Sequence, residues 1–91
     1  MSIYFDTING IHHYTSANGF APSLRDLANM LNVGTSAMRY RLNMLEKAGL
    51  VFRDNETRRT IRLANSHISK PYWFNDGNYI REQIEEAAKN R

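Results

Sequence analysis

The stretch PSLRDLANMLNVGTSAMRYRLNMLEKAG, from Pro22 to Gly49, limits the fold more than any other part of the chain. It holds two helical periods joined by a tight turn. In the first, Leu24, Leu27, Ala28 and Leu31 recur on one apolar face. Ser23 predicts an N-cap, with Asp26 reaching back three residues on to complete a capping box. Asn32-Val33-Gly34 breaks the period, and Gly34 can take a backbone angle that costs other residues more. Thr35 is expected to cap the second helix. Met38, Leu42 and Leu45 share one side of that helix, and Gly49 closes it.

At about 100° per residue, the three apolar side chains of the second helix occupy roughly one third of its circumference. The opposite side holds Ser36, Ala37, Tyr40, Asn43 and Lys47, with Arg39 and Arg41 on the flanks. A helix that reads bases needs small, polar or cationic residues there, because its first turns enter the major groove. A solvated helix face is the bland alternative.

Ninety-one residues make one small domain, near the lower limit for a self-sufficient core. The 42% hydrophobic and 11% aromatic content fits a folded chain. Without cysteine there is neither a disulfide framework nor a thiolate zinc site. The sequence has no apolar run near the roughly 20 residues of a membrane span and no signal-peptide pattern, so the cytoplasm is the expected compartment.

The net charge of +3 is unevenly spread. Residues 1–34 carry Arg25 against Asp6 and Asp26. Residues 35–63 carry Arg39, Arg41, Lys47, Arg53, Arg58, Arg59 and Arg62 against Glu46, Asp54 and Glu56, and residues 64–91 balance. The excess sits on the second helix of the pair and the segment after it, where it would steer a polyanion.

Upstream, Ser2 to Ala17 reads as a first helix with a Tyr4, Ile8 and Ile11 stripe, widened by Ile3 and Tyr14 and ended at Asn18-Gly19. His12 and His13 are adjacent and so point about 100° apart, which suits a solvated or partly packed pair better than a metal site. Phe20-Ala21-Pro22 is an extended connector, with Phe20 expected as a core anchor and the segment able to pair as a brief strand. Downstream, LVFRD and RTIRL read as two strands around Asn55-Glu56-Thr57-Arg58, with Val51, Ile61 and Leu63 on one side and Arg53, Arg59 and Arg62 near the turn or outside. A hairpin placed here is a wing whose cations contact phosphate or the minor groove. An ordinary hairpin with solvated arginines is the alternative.

In this order, NGFAPSLRDLANMLNV, SAMRYRLNMLEKAGLV and TIRL resemble the N-terminal DNA-binding domain of LexA-type repressors, over about Tyr4 to Leu63. The resemblance implies a mainly α fold with a small β-hairpin: a winged helix-turn-helix of three helices plus wing. An extra C-terminal helix follows in this chain. It also implies that Ser36, Ala37, Arg39 and Tyr40 are base-facing, with Thr35, Asn43 and Lys47 on the same helix. By the same resemblance Ser23 and Arg25 would lie near the DNA backbone, and Asn55, Thr57, Arg58 and Arg59 would form the wing tip; from their own positions, Arg41 on the flank of the second helix is a further backbone candidate and Arg53 a further wing cation. The NVGTS turn is about one residue shorter than the family's usual form. Arg39 and Tyr40 differ from the side chains of characterised members, so no operator sequence carries over. An Arg39 that reaches a base edge would pair with guanine O6 and N7. LexA-type repressors continue into a self-cleaving, dimerising domain with a Ser-Lys dyad, for which 91 residues leave no room. Neither self-cleavage nor other enzyme activity is expected, and no cofactor, metal or small-molecule ligand.

Residues 1–64 thus read as the DNA-binding unit and 65–91 as an aromatic linker with a C-terminal helix. Tyr72, Trp73 and Phe74 cannot all enter one pocket from a strand. They can pack on the first helix, meet a second subunit or stack on bases. Asp76-Gly77-Asn78 can start a helix whose stripe is Ile80, Ile84, Ala87 and Ala88. Docking on its own domain and homodimer pairing both satisfy that stripe. Three functions stay open: a sequence-specific double-stranded DNA-binding regulator of repressor type, an architectural nucleic-acid binder, and a winged-helix protein-interaction module. The charge distribution disfavours the last.

Overall fold

A computed structural model describes residues 2–54, 60–65 and 70–89. Its elements run α1 (Ile3–Asn18), α2 (Leu24–Met30), α3 (Thr35–Lys47), β1 (Val51–Phe52), β2 (Arg62–Leu63) and α4 (Gly77–Lys89). The two strands pair antiparallel, Val51 opposite Leu63 and Phe52 opposite Arg62. The architecture is a three-helix unit followed by a small hairpin, with a further helix at the C-terminal end.

Local chemistry sets the boundaries. The Ser2 hydroxyl accepts the Tyr4 amide and starts α1, and Gly19 ends it with φ 77°. Both halves of the α2 capping box form: Ser23 Oγ accepts the Asp26 amide at 3.1 Å, and Asp26 Oδ2 accepts the Ser23 amide at 3.0 Å. Gly49, with φ 78°, turns the chain out of α3 into β1. The turn between α2 and α3 departs from expectation. Its left-handed residue is Asn32 (φ 56°), while Gly34 is extended at φ −70°. Asparagine tolerates that region better than most residues, so glycine is not required there. The N-cap of α3 is Gly34, not Thr35, and it supplies no side-chain bond.

The core joins every element. Ile8 and Ile11 of α1, Leu27 and Ala28 of α2, and Met38, Leu42 and Leu45 of α3 are buried with Leu50, Val51, Ile61 and Leu63 of the hairpin. Thr7 is buried as well, its hydroxyl donating to the Ile3 carbonyl at 2.8 Å. Gly10 faces the Leu31 side chain, and a Cβ there would meet Leu31 Cδ1 at 3.4 Å, an ordinary contact distance. Phe20 is not a core anchor: it is 48% exposed and edge-on to Tyr14, and Pro22 takes the buried place instead. Among the described residues the sheet has two strands, and the 20–22 connector does not join it.

The C-terminal quarter packs on this unit. Trp73 is buried, and its indole N–H donates to the Ala64 carbonyl at 3.1 Å. Phe74 rests against His12 of α1, with ring centroids 4.9 Å apart. Tyr72 points out, 78% exposed. The Asp76 carboxylate accepts the Tyr79 amide and caps α4. That helix packs against α3, burying Ile80 and Ala87, half-burying Ile84 and leaving Ala88 exposed. The Cα radius of gyration, 12.2 Å, is what a chain of this length has when no part projects away. Among the described residues no helix is long and apolar enough to cross a membrane.

Candidate nucleic-acid interface

The candidate interface is built on α3, and burial there is one-sided. Met38, Leu42 and Leu45 have no measurable exposure, whereas Thr35, Ser36, Ala37, Arg39, Tyr40, Asn43 and Lys47 are all exposed. The aromatic tail does not cover that outer face. Trp73 sits in the core, and Phe74 lies on α1. Trp73 is therefore unavailable for stacking on bases or for meeting a second subunit, since its indole is spent inside its own chain.

Tyr40 is 55% exposed and set beside Tyr4 of α1, whose hydroxyl pKa is pushed up by burial and then by Tyr40. Arg41 lies elsewhere. It is half-buried and lines an open groove between α1 and the α2–α3 turn, with Asp6, Asn9 and His13. This is the α1 side of the helix, off the outer face, because position 41 sits next to the buried stripe. Ser23 and Arg25 stand together at the start of α2, Ser23 half-buried in its capping box and Arg25 exposed. The first turn of α3 has no side-chain cap, and this end of a helix attracts anions.

The hairpin follows α3 directly. Arg62 is exposed on β2, its guanidinium carbon 5.9 Å from the Phe52 ring centroid. Arg53 corrects the sequence reading. It does not point outward with the wing but turns back onto α3, paired with Glu46 and donating to Asn43 Oδ1 at 2.6 Å. Ten residues and a chain reversal separate Arg53 from Asn43, so no local spacing announces the contact. Glu46 enters the interface only through it. Past Arg53, Thr60 closes the hairpin, its hydroxyl accepting the Asp54 amide at 2.9 Å and donating to the Asp54 carbonyl at 3.1 Å. Asn55, Thr57, Arg58 and Arg59, expected at the wing tip, lie outside the described residues.

His12 and His13 form a tilted ring pair 6.0 Å apart. Burial, then Lys70 and His13, hold the His12 pKa below its ordinary value. Among the described residues no group of three or more His, Cys, Asp or Glu is placed to hold a metal ion.

Comparison with known proteins bears on the same region. Residues 6–60 match the family described as the LexA DNA binding domain. A LexA repressor of Roseiflexus sp. (strain RS-1) is 34% identical over 61 residues, which is 66% of this chain and 28% of that protein. The chain thus spans about 28% of its relative's length. No solved structure gives a significant match.

Proposed function

The chain belongs to the LexA DNA-binding domain family, and on that premise we propose that it is a sequence-specific double-stranded DNA-binding regulator of repressor type. Helix α3 lies in the major groove. Thr35, Ser36, Ala37, Arg39, Tyr40 and Asn43 face the base edges, and Lys47 reaches phosphate. Ser23 and Arg25 hold the DNA backbone at the start of α2. The wing over residues 54–60, with Arg58 and Arg59, adds phosphate or minor-groove contacts that carry little sequence information.

One observation carries this reading: α3 buries Met38, Leu42 and Leu45 completely and leaves Thr35, Ser36, Ala37, Arg39, Tyr40, Asn43 and Lys47 exposed, with Arg41, Met44 and Glu46 half-buried between the two faces. A structural helix of this size would be free to bury more. A reading helix must leave that face open and stay rigid underneath. Small side chains at Ser36 and Ala37 let the backbone approach the groove, and the uncapped first turn suits a phosphate.

The test is selection of bound duplexes from a random pool, followed by titration of the selected and a scrambled duplex at one fixed salt concentration. A regulator binds its own site roughly 10³-fold or more tightly than scrambled DNA. Near-equal binding would instead support an architectural protein, and no binding would favour a protein-interaction module. The selected sites also report whether half-sites are repeated with two-fold symmetry.

A further inference from the structure

Asn43 and Glu46 lie three residues apart on α3, and one guanidinium spans both. Arg53, just after β1, sets Nε against the Glu46 carboxylate and donates from Nη2 to Asn43 Oδ1 at 2.6 Å. Nε and Nη2 form one edge of a rigid planar fork, so a single side chain fixes both partners. Arginine carries no acceptor. The Asn43 amide must therefore turn its oxygen toward Arg53 and its NH2 away. The clamp is not a loose surface pair, since the Arg53 side chain is only 15% exposed and that of Glu46 30%. Asn43 itself is exposed, on the outer face of α3 with Ser36 and Lys47.

We propose that Arg53 fixes the hydrogen-bonding sense of Asn43, so that Asn43 presents a donor to the groove and favours guanine O6 and N7 or thymine O4 over adenine, whose two-ended pairing it disfavours. This rests on α3 being the groove helix. An unconstrained asparagine pairs with adenine through both ends of its amide: the oxygen accepts from N6 and the NH2 donates to N7. Here the oxygen is held by a charge-assisted bond, stronger than the neutral one adenine offers. What faces the groove is a donor. Adenine offers this donor N7 alone, with the N6 amino group beside it, donor against donor. Guanine presents two adjacent acceptors and thymine one. Arg53 is then a positioning residue that need not touch DNA, and the inward turn of a wing arginine has a purpose.

The test repeats duplex selection at fixed salt with the wild-type chain, Asn43→Ala, Arg53→Met, and Arg53→Met combined with Glu46→Gln. The double variant removes the carboxylate that the single one leaves unpaired, and thermal melting checks that each folds. The wild type is expected to enrich guanine or thymine at one position that Asn43→Ala relaxes. Both Arg53 variants are expected to shift that same position toward adenine by roughly tenfold while the other positions keep their bases. Adenine at that position in the wild type overturns the proposal. So does a uniform loss of affinity in the Arg53 variants with base preference unmoved, which would make Arg53 a phosphate contact or a structural strut. A wild-type chain that enriches no sequence overturns the groove reading as well, and is told apart because the other failures leave an enriched site intact.

Discussion

The Tyr14 hydroxyl donates to Asp26 Oδ2 at 3.1 Å, and the same oxygen accepts the Ser23 amide at 3.0 Å. One carboxylate atom thus ties the last turns of α1 to the first turn of α2. Asp26→Ala removes a capping partner and a tertiary bond together and is expected to cost about 2 kcal/mol. Tyr14→Phe removes only the tertiary bond, at about 1 kcal/mol. Urea denaturation of both and of the double variant measures the coupling. Equal costs for the two single changes would mean that the cap contributes nothing.

Arg39 is exposed one helical turn from the start of α3, the end that the proposed reading puts into the groove. Arg39→Ala is expected to cost about 1–3 kcal/mol on the selected site and to relax one base position. Titration of the selected duplex and its single-base variants checks this. An equal loss on every duplex would make Arg39 a phosphate contact.

Arg58→Ala with Arg59→Ala is expected to weaken binding on all duplexes and to flatten the dependence of affinity on salt. The check is a titration series at several salt concentrations. An unchanged slope would take the wing out of the interface.

Trp73 is buried with its indole N–H on the Ala64 carbonyl. Trp73→Phe keeps an aromatic ring but strips a buried acceptor of that donor, at an expected cost of about 1–3 kcal/mol. Trp73→Ala also opens a cavity and is expected to cost about 3–5 kcal/mol. Both are read by denaturation followed with circular dichroism, since the chain's only tryptophan is lost.

His12 supplies a pH dependence. Its folded pKa lies below the ordinary value of about 6.5, through burial first and then Lys70 and His13. Between the folded and unfolded values the unfolded chain binds more protons. The stability contributed by a neutral His12 is therefore complete above about pH 6.5 and is lost as pH falls toward the folded value. Phe74 contacts both His12 and Lys70, whose ammonium is 5.2 Å from its ring centroid, so the tail is expected to loosen with the fold. Melting temperatures from pH 7.5 down to 5.5 test this, and His12→Gln is expected to flatten that part of the profile.

What the sequence makes legible is local chemistry. Ser23 and Asp26 announce their capping box because its donors and acceptors lie within one turn. The spacing of Met38, Leu42 and Leu45 announces the buried stripe of α3 because period alone decides it. Gly49 announces a left-handed exit. Contacts that depend on the finished fold are silent. Arg53 reads as one more wing cation until the chain reversal brings it to Asn43 and Glu46. Trp73 could have met a partner, a base or the core, and only the position of Ala64 decides among them. Phe20 misleads because hydrophobicity does not specify direction: it is exposed beside Tyr14 while Pro22, two residues on, is buried. Asn32 and Gly34 compete for one turn, and nothing short of the backbone path shows which bends.

Among the described residues the hairpin is rooted in two residue pairs, Val51 with Leu63 and Phe52 with Arg62. A ladder that short has little stiffness of its own. The Arg53 anchor on α3 and the Thr60 clasp add to it. Arg53 thus joins the hairpin to α3, and a change that tilts one is expected to drag the other. Substitutions at Glu46 or Arg53 would then alter salt dependence and base choice in concert, whereas a hairpin with a long, self-supporting ladder would let evolution tune the two independently.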